Sequence, residues 1–435
     1  MSSNWETLKV QDILYTTDYV ANGSFASIKE NVKYLNKQDY AVLIRLVDFN
    51  SGWNGDFVYV DKKSYDFLKK SYVEPKDVII SNVGANVGTV FQAPNLNQPM
   101  TLGPNSVLVK PAGDNIDRDF VYYFFTSPIG QSKLSSIVSG SAQPKFNKTD
   151  LRNIDFPLPP LPIQKKIAHI LSTLDDKIEL NRKMNQTLES MASAIFKSWF
   201  VDFDPVHAKA NCESEAELEN IAKELGISKE ILDLFPSEFE ESELGMIPKG
   251  WKNDYIDTFV EILDSKRVPL ASNEREKIKG DIPYYGATSI MGYVNDYIFD
   301  EILLLMGEDG SVVRDDGTPF LQYIWGKSWV NNHAHVMKSK STLSVEALYI
   351  ALINKNVTMF VTGAVQPKIN QGNLKQIPII NAGEVINTTF SNLIEPIFAK
   401  IRLISEENTS LQKTRDTLLP KLLSGEIDVS ELEIL

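Results

Sequence analysis

Apolar residues recur along residues 163–200 at intervals that alternate between four and three. Lysine, glutamate, aspartate and glutamine fill the positions between them. Because this 3.5-residue period persists over several heptads, it predicts a long helix whose stripe packs against a second helix. The stripe consists of Ile167, Leu171, Leu174, Ile178, Asn181, Asn185, Leu188, Ala192, Ile195 and Trp199.

A second stripe of the same kind lies within residues 384–423. It consists of Phe390, Ile394, Ile397, Ile401, Ile404, Asn408, Leu411, Arg415, Leu418 and Leu422. The two helices are therefore able to bury their stripes against each other, although helices packed separately on their own domains would look similar. Asn185 and Asn408 take the same position in the two stripes, where a buried asparagine fixes the register of a helix pair. Pro396 predicts a kink or a break in the second helix.

An internal duplication relates the two helices. Residues 143–147 (QPKFN) recur as residues 366–370 (QPKIN), a shift of 223 (366 − 143) that holds without a gap as far as Leu188 and Leu411. A constant shift over such a distance indicates an internal repeat.

The rest of the chain predicts α+β structure. Apolar runs at residues 41–47, 77–81 and 106–110 predict strands, and a Pro-rich elbow at 156–162 precedes the first long helix. We expect mixed α/β domains at residues 1–155 and 247–381, a central helix at 156–200, an acidic linker at 201–246, a distal helix at 382–423 and a tail at 424–435.

Composition says more about the cellular compartment of the protein than about its function. Cys212 is the only cysteine, which favours a reducing compartment, and neither a signal peptide nor a membrane-spanning run is evident. The net charge is −13, but residues 201–246 alone hold thirteen acidic side chains against three lysines. The remainder is close to neutral, so charge gives weak evidence for or against a nucleic-acid partner.

Motifs for catalysis are missing. Gly326-Lys327-Ser328 lacks the first glycine of a phosphate-binding loop, and no dinucleotide fingerprint follows a strand. Asp204-Pro205-Val206 lacks the proline-aromatic run that would hold a flipped base for methylation. His333 and His335 would form half of a metal site, but no third ligand is evident, so we expect no bound metal. The chain is not expected to be a catalyst by itself.

The repeated Gln-Pro-Lys-x-Asn segment offers the best candidates for contact with DNA. Amide side chains pair with adenine edges, and lysine binds guanine or phosphate. A turn whose side chains cap backbone groups explains the segment equally well. The candidates are Gln143, Lys145, Asn147, Gln366, Lys368 and Asn370, together with the loop residues Asn86, Arg314 and Lys327.

Several longer segments resemble one known family. They are residues 158–167 (LPPLPIQKKI) leading into 174–181 (LDDKIELN), 199–206 (WFVDFDPV), 243–251 (ELGMIPKGW) and 418–427 (LLPKLLSGEI). Together with the order domain, helix, domain, helix, they make the chain similar to the specificity subunit of type I restriction–modification systems.

The resemblance implies two target-recognition domains separated by two long helices that form an antiparallel coiled coil with a pseudo-twofold repeat. Each domain would read one half of a bipartite sequence in double-stranded DNA, and the helices would set the unread gap. Partners would be two methyltransferase subunits and restriction (motor) subunits. These subunits would bind S-adenosylmethionine, ATP and Mg, leaving this cytoplasmic chain without a cofactor or a membrane partner.

Three alternatives are compatible with the same sequence. A coiled-coil adaptor that binds proteins would show the same helices, but it would lack salt-dependent and sequence-dependent DNA binding. A fused modification enzyme would need the methylase motifs that are missing. A silent copy of a specificity subunit would look the same in sequence.

Overall fold

A computed structural model describes residues 5–212, 214–242, 245–363 and 365–432. The chain divides into two compact units. Unit 1 consists of residues 1–181 and 407–435, and unit 2 consists of residues 182–406. Both divisions fall inside long helices, so each unit contains one domain and half of each helix. The mixed α/β fold and the antiparallel helix pair that the sequence predicts are confirmed.

Residues up to 200 form the following elements. The strands are β1 (Glu6–Lys9), β2 (Leu14–Asp18), β3 (Tyr34–Leu35), β4 (Ala41–Ile44), β5 (Tyr59–Val60), β6 (Tyr72–Val73), β7 (Val78–Ser81), β8 (Val90–Gln92), β9 (Met100–Leu102), β10 (Ser106–Pro111) and β11 (Asp155–Leu158). The helices are α1 (Val10–Ile13), α2 (Phe25–Asn31), α3 (Leu46–Asn50), α4 (Lys62–Phe67), α5 (Arg118–Thr126), α6 (Pro128–Ser136), α7 (Lys148–Arg152) and α8 (Leu161–Phe200), with 3-10 turns at Tyr19–Asn22 and Lys69–Ser71.

Residues after 200 follow a similar plan. The helices are α9 (Asp204–Ala210), α10 (Glu215–Glu224), α11 (Lys229–Asp233), α12 (Ser272–Lys277), α13 (Val345–Ile353), α14 (Gln371–Lys375) and α15 (Glu384–Leu423), with 3-10 turns at Ile256–Thr258, Asp264–Lys266 and Thr358–Phe360. The strands are β12 (Phe239–Ser242), β13 (Gly245–Pro248), β14 (Lys252–Tyr255), β15 (Val260–Ile262), β16 (Lys279–Tyr285), β17 (Ile290–Val294), β18 (Phe299–Asp300), β19 (Leu303–Gly307), β20 (Leu321–Ile324), β21 (Lys327–Val330), β22 (Ala334–Ser339) and β23 (Pro378–Asn381).

The same antiparallel sheet forms the centre of both units. Its strand order is β2-β10-β7-β8 in unit 1 and β15-β22-β19-β20 in unit 2. A two-stranded ribbon accompanies each sheet, β1 with β11 and β14 with β23. A second sheet lies in each unit, ordered β3-β5-β4-β9-β6 in unit 1 and β17-β16-β21-β18 in unit 2. The duplication in the structure therefore covers more of the chain than the repeat that is visible in the sequence.

The long helices complete the core of each unit. In unit 1, Ile167 and Leu171 of α8 share one buried cluster with Leu419 and Leu422 of α15 and with the central sheet. Unit 2 has the corresponding arrangement, with aromatic rings at the centre of its cluster. Those rings belong to Trp199, Phe200, Trp251, Phe390 and Phe398.

Polar contacts show that α8 and α15 run antiparallel within each unit. In unit 1, Asn181 Nδ2 donates to Asn408 Oδ1 over 2.9 Å, and Arg415 forms an ion pair with Asp175 over 2.6 Å. In unit 2, Asn185, the repeat equivalent of Asn408, donates instead to Ser405 Oγ over 3.0 Å. Among the stripe residues, Leu171, Ile178, Ile394, Ile401 and Asn408 are buried, and Leu174, Asn185, Leu188, Ile195, Ile397, Leu411 and Leu418 are half-buried.

Pro396 does not divide the second helix, so of the kink or break that the sequence predicts, the break does not occur. α15 is one continuous helix of 40 residues. Pro396 and Asn392, the residue whose carbonyl loses its helical partner, are both exposed. The proline therefore lies on the solvent side of the helix, while the buried side chains of Ile394 and Phe398 hold the helix on its core.

The acidic segment 201–246 packs more closely than a linker would. Helices α9 to α11 and strand β12 lie within it, and β13 begins at its end. Phe235 and Val206 are buried in the core of unit 2, and the Phe235 ring meets Trp199 edge-on at 4.9 Å between centroids. Within the described residues, no helix is both long and apolar enough to cross a membrane.

The Asn181–Asn408 pair predicts non-additive substitutions. Each single change to leucine removes the hydrogen bond between the two buried amides and should lower stability by about 1–3 kcal/mol. Replacing both should recover most of that loss, because two leucines pack without a polar demand. Thermal unfolding of the four proteins measures the coupling, with Asn392→Leu as an exposed control on α15. Additive losses from the two single changes would show that the pair does not act as a unit.

Candidate nucleic-acid interface

Loops from both halves of each domain meet at one end of its central sheet. We call this region the corner. The corner of unit 1 comprises Asp18, residues 82–88, Asn105 and residues 139–148. The corner of unit 2 comprises residues 264–267, 308–310, His333 and residues 362–371, without residue 364.

Backbone hydrogen bonds hold the two corners in the same layout. In unit 1 they run from Asn82 N to Asn105 O (3.0 Å), Gly84 N to Pro144 O (2.9 Å), Phe146 N to Asn82 O (3.1 Å), Ser139 N to Lys145 O (2.8 Å) and Lys145 N to Ser139 O (2.9 Å). In unit 2 they run from Glu308 N to His333 O (2.8 Å), Gly310 N to Pro367 O (3.0 Å), Ile369 N to Glu308 O (2.9 Å), Thr362 N to Lys368 O (2.8 Å) and Lys368 N to Thr362 O (2.8 Å). The repeated segment is therefore a backbone frame.

The asparagines of the repeat cap helices. Asn147 Oδ1 accepts from Asp150 N over 2.8 Å at the start of α7, and Asn370 Oδ1 accepts from Asn373 N over 2.9 Å at the start of α14. Capping thus accounts for both asparagines, and no contact with a DNA base is needed to explain them. Gly363 belongs to the same frame, since its φ is +87° and a Cβ there would lie 2.3 Å from the Gln366 carbonyl oxygen.

The remaining candidates in unit 1 present free side chains. Asn86, Gln143 and Lys145 are exposed, and within the described part of the chain none of them has a side-chain hydrogen bond or ion pair. The bond from Gly84 N to Pro144 O brings their two loops together. The corner of unit 1 therefore offers two amides and one cation to a ligand.

The corner of unit 2 has a different chemistry. Arg267 and Glu308, only 11% and 13% exposed, form an ion pair over 2.6 Å, and Lys368 reaches the other Glu308 oxygen over 3.0 Å. Burial alone would raise the pKa of Glu308, but hydrogen bonds from Arg267 and Lys368 outweigh it and leave that pKa below its usual value. Gln366 remains exposed at the surface of this corner.

His335 joins the same network. Its Nδ1 lies 2.6 Å from Asp264, and its Nε2 lies 2.8 Å from the Ile369 carbonyl oxygen. Burial would raise the pKa of Asp264, but the hydrogen bond and charge of His335, the Val336 backbone N–H and the charge of Arg267 together outweigh it, so that pKa is lowered. The unit 1 equivalent, Asp18, instead binds Lys148 over 2.8 Å.

The carboxylates and imidazole of this network converge as metal ligands would. Ligand atoms of Asp264, Glu308 and His335 all lie within 4.8 Å of one another. However, both ring nitrogens of His335 are engaged, and Arg267 and Lys368 already neutralise Glu308. A divalent ion would have to displace these bonds, so the donor set fits a charge network better than a metal site. His333 lies apart, exposed, with Nδ1 2.5 Å from Asp309.

Two candidates lie outside the corners. The Arg314 guanidinium donates to the Pro319 carbonyl over 3.0 Å and stacks on Phe320. Lys327 lies on the second sheet of unit 2, with its Nζ 4.6 Å from the centre of the Tyr297 ring. The structure therefore does not bring Arg314 or Lys327 together with Gln366 and Lys368.

The comparisons with known proteins agree with this duplicated architecture. The family described as "Type I restriction modification DNA specificity domain" matches residues 2–190 and again residues 248–406. The two matches cover well over half of the chain, which therefore belongs to this family of DNA specificity domains.

Individual relatives match over nearly the whole length. The chain is 25% identical to the type I restriction enzyme MjaIX specificity subunit of Methanocaldococcus jannaschii, covering 99% of this chain and 95% of the relative. It is 24% identical to the HindI specificity subunit of Haemophilus influenzae, covering 93% and 98%. The crystal structure of a type I restriction–modification S subunit from M. genitalium shares the fold, with a TM-score of 0.52 at 16% identity over 96% of both chains.

The capping role of Asn147 and Asn370 predicts a graded set of stabilities. Alanine at either position should cost about 1 kcal/mol, because a helix N–H loses its acceptor, and serine should restore most of that loss. Gln143→Ala and Gln366→Ala serve as neighbouring controls and should leave the unfolding temperature unchanged. Thermal denaturation measures all of them. Neutral asparagine changes beside costly glutamine changes would contradict the assignment.

Proposed function

We propose that this chain is the DNA-recognition subunit of a type I restriction–modification system and that each unit reads one half of a bipartite target. The observation that carries the proposal is the pair of corners, in which one backbone frame holds two different sets of side chains. A frame that positions loops in the same way, with different donors and acceptors, suits the reading of two different sequences.

The chemistry of each corner suggests what it reads. In unit 1, the exposed amides of Asn86 and Gln143 match the donor–acceptor pair of an adenine edge, and Lys145 matches guanine or a phosphate. Unit 2 offers the Gln366 amide beside the His333–Asp309 pair, whose carboxylate is a potential acceptor for a cytosine amino group. The two half-sites are therefore expected to differ in sequence.

The reaction itself would belong to partner subunits. We propose that two methyltransferase subunits with S-adenosylmethionine, and restriction subunits with ATP and Mg, assemble with this chain in the cytoplasm. The internal repeat supports this proposal, because a duplicated chain offers two equivalent surfaces to two copies of one partner. This chain would then contribute recognition without a catalytic centre or cofactor of its own.

Substitutions in one corner should change one half-site. Selection of randomised duplexes by the chain with its methyltransferase partner should yield a two-part motif with a fixed gap. Asn86→Ala with Gln143→Ala should relax the half read by unit 1, at about 1–3 kcal/mol for each lost bidentate contact, and leave the other half intact. Gln366→Ala should do the reverse.

Gln186→Ala, at an exposed glutamine on α8, is the matched control and should change neither half. Binding without any sequence preference would favour a protein adaptor instead. Equal relaxation of both halves by one corner's variant would contradict the assignment of one half-site to each unit.

A further inference from the structure

Unit 1 carries a basic surface beside its corner that base reading does not require. We call it the lysine layer and define it as residues 25–37 and 61–71, which include α2, β3 and α4. It holds seven lysines against three carboxylates, Glu30, Asp61 and Asp66, in a chain whose net charge is −13. The lysines are Lys29, Lys33, Lys37, Lys62, Lys63, Lys69 and Lys70.

The lysine layer is held together as one surface. Lys33 N donates to Ser64 Oγ over 3.0 Å, and Ser64 Oγ bonds to the Asn31 carbonyl over 3.3 Å. At its other end, Lys70 N donates to Asn22 Oδ1 over 2.9 Å. Ile28 and Leu68 are buried beneath it. The lysine positions are therefore fixed relative to one another by their backbone.

Most of these lysines lack a partner within unit 1. Lys62 pairs with Asp66, but the other six form no ion pair among the described residues, and all seven are exposed. Like charges held on one surface repel one another, and this repulsion is relieved by a bound polyanion. Unpaired, preorganised cations are the groups that release counterions when they meet phosphates.

The lysine layer continues into the corner. Asp18 of the corner is followed directly by Tyr19, whose hydroxyl accepts a hydrogen bond of 2.8 Å from Tyr34 of the layer. Phe25, the first residue of the lysine layer and 77% exposed, lines a small cleft with Asn82 and Asn105 of the corner. A duplex seated on the corner of unit 1 would thus extend over the lysine layer.

The corresponding part of unit 2 has no comparable excess of positive charge. There, α12 follows β15 as α2 follows β2, and residues 271–294 hold three cations and three carboxylates. The corner cations Arg267 and Lys368 are both bound to Glu308. The two units therefore differ in electrostatics although they share a frame.

We propose that the lysine layer binds backbone phosphates of duplex DNA that flanks the half-site of unit 1. Unit 1 then supplies most of the salt-dependent affinity of this chain, and unit 2 binds mainly through uncharged or paired groups. The proposal rests on the proposed DNA-reading function, but it concerns a sequence-independent contact and is tested separately from it.

The test uses the full-length chain and a 40-bp duplex of arbitrary sequence, with the dissociation constant measured across a series of KCl concentrations. The variant is Lys33→Gln, Lys63→Gln and Lys70→Gln together. The control is Lys252→Gln, Lys277→Gln and Lys340→Gln, three exposed lysines of unit 2 that form no ion pair among the described residues. Both triple variants change the net charge equally.

We expect the slope of log affinity against log salt to shrink by about 1–3 for the layer variant, since each lost phosphate contact removes about 0.9. The control should retain the wild-type slope. Unfolding temperatures should match, because all six side chains are exposed. Equal slopes for the two variants would overturn the proposal. If wild-type copies associate with one another, and the layer variant alone loses this association while the slopes stay equal, the proposal is also overturned.

The two proposals fail in different ways. If the layer variant keeps the wild-type slope and the chain still prefers its target over arbitrary DNA, the lysine layer is not a DNA contact, and the reading function stands. If the chain shows no preference for any sequence, the reading function fails, whereas a smaller slope in the layer variant still supports the phosphate contact.

Discussion

Burial of the two helical stripes is the constraint on which both units depend. Each unit closes its core with half of α8 and half of α15, segments that are far apart in sequence. In unit 1, Ile167 and Leu171 share one cluster with Leu419 and Leu422. Burial of each such side chain contributes about 1.5–3 kcal/mol, so the loss of either stripe would expose the core of a domain as well as the other helix. The core of unit 1 is therefore incomplete until α15 has folded onto it.

This constraint fixes the backbone frame of the two units and leaves the side chains on that frame free to differ. The central sheets, the caps at Asn147 and Asn370 and the backbone bonds of the corners form one frame that occurs twice. Side chains on the frame differ between the units: Asp18 pairs with Lys148 in one, whereas Asp264 joins His335 in the other. A stable frame with variable loops is the arrangement that a DNA reader needs, because base preference can change without loss of the fold.

Sequence alone predicted the parts of the structure that have a local period or an exact repeat. The stripes, the duplication and the two-domain order are of this kind. The continuity of α15 through Pro396 was not predictable, because it depends on that residue facing water. The network of Asp264, Arg267, Glu308 and His335 was also missed, since it depends on the register of β15, β22 and β19. One sequence signal bore on this network: the repeat shift of 223 aligns Lys148 of unit 1 with Gln371 of unit 2.

The most direct test of the central claim is a base-resolution methylome of cells that express this chain together with the methyltransferase subunit proposed as its partner. It should be compared with a methylome of cells that express the partner alone. If two units on one frame read two half-sites, the chain should add methylation at a single two-part motif with a fixed unread gap. Methylation of an undivided motif, or identical methylomes with both proteins present, would contradict the account.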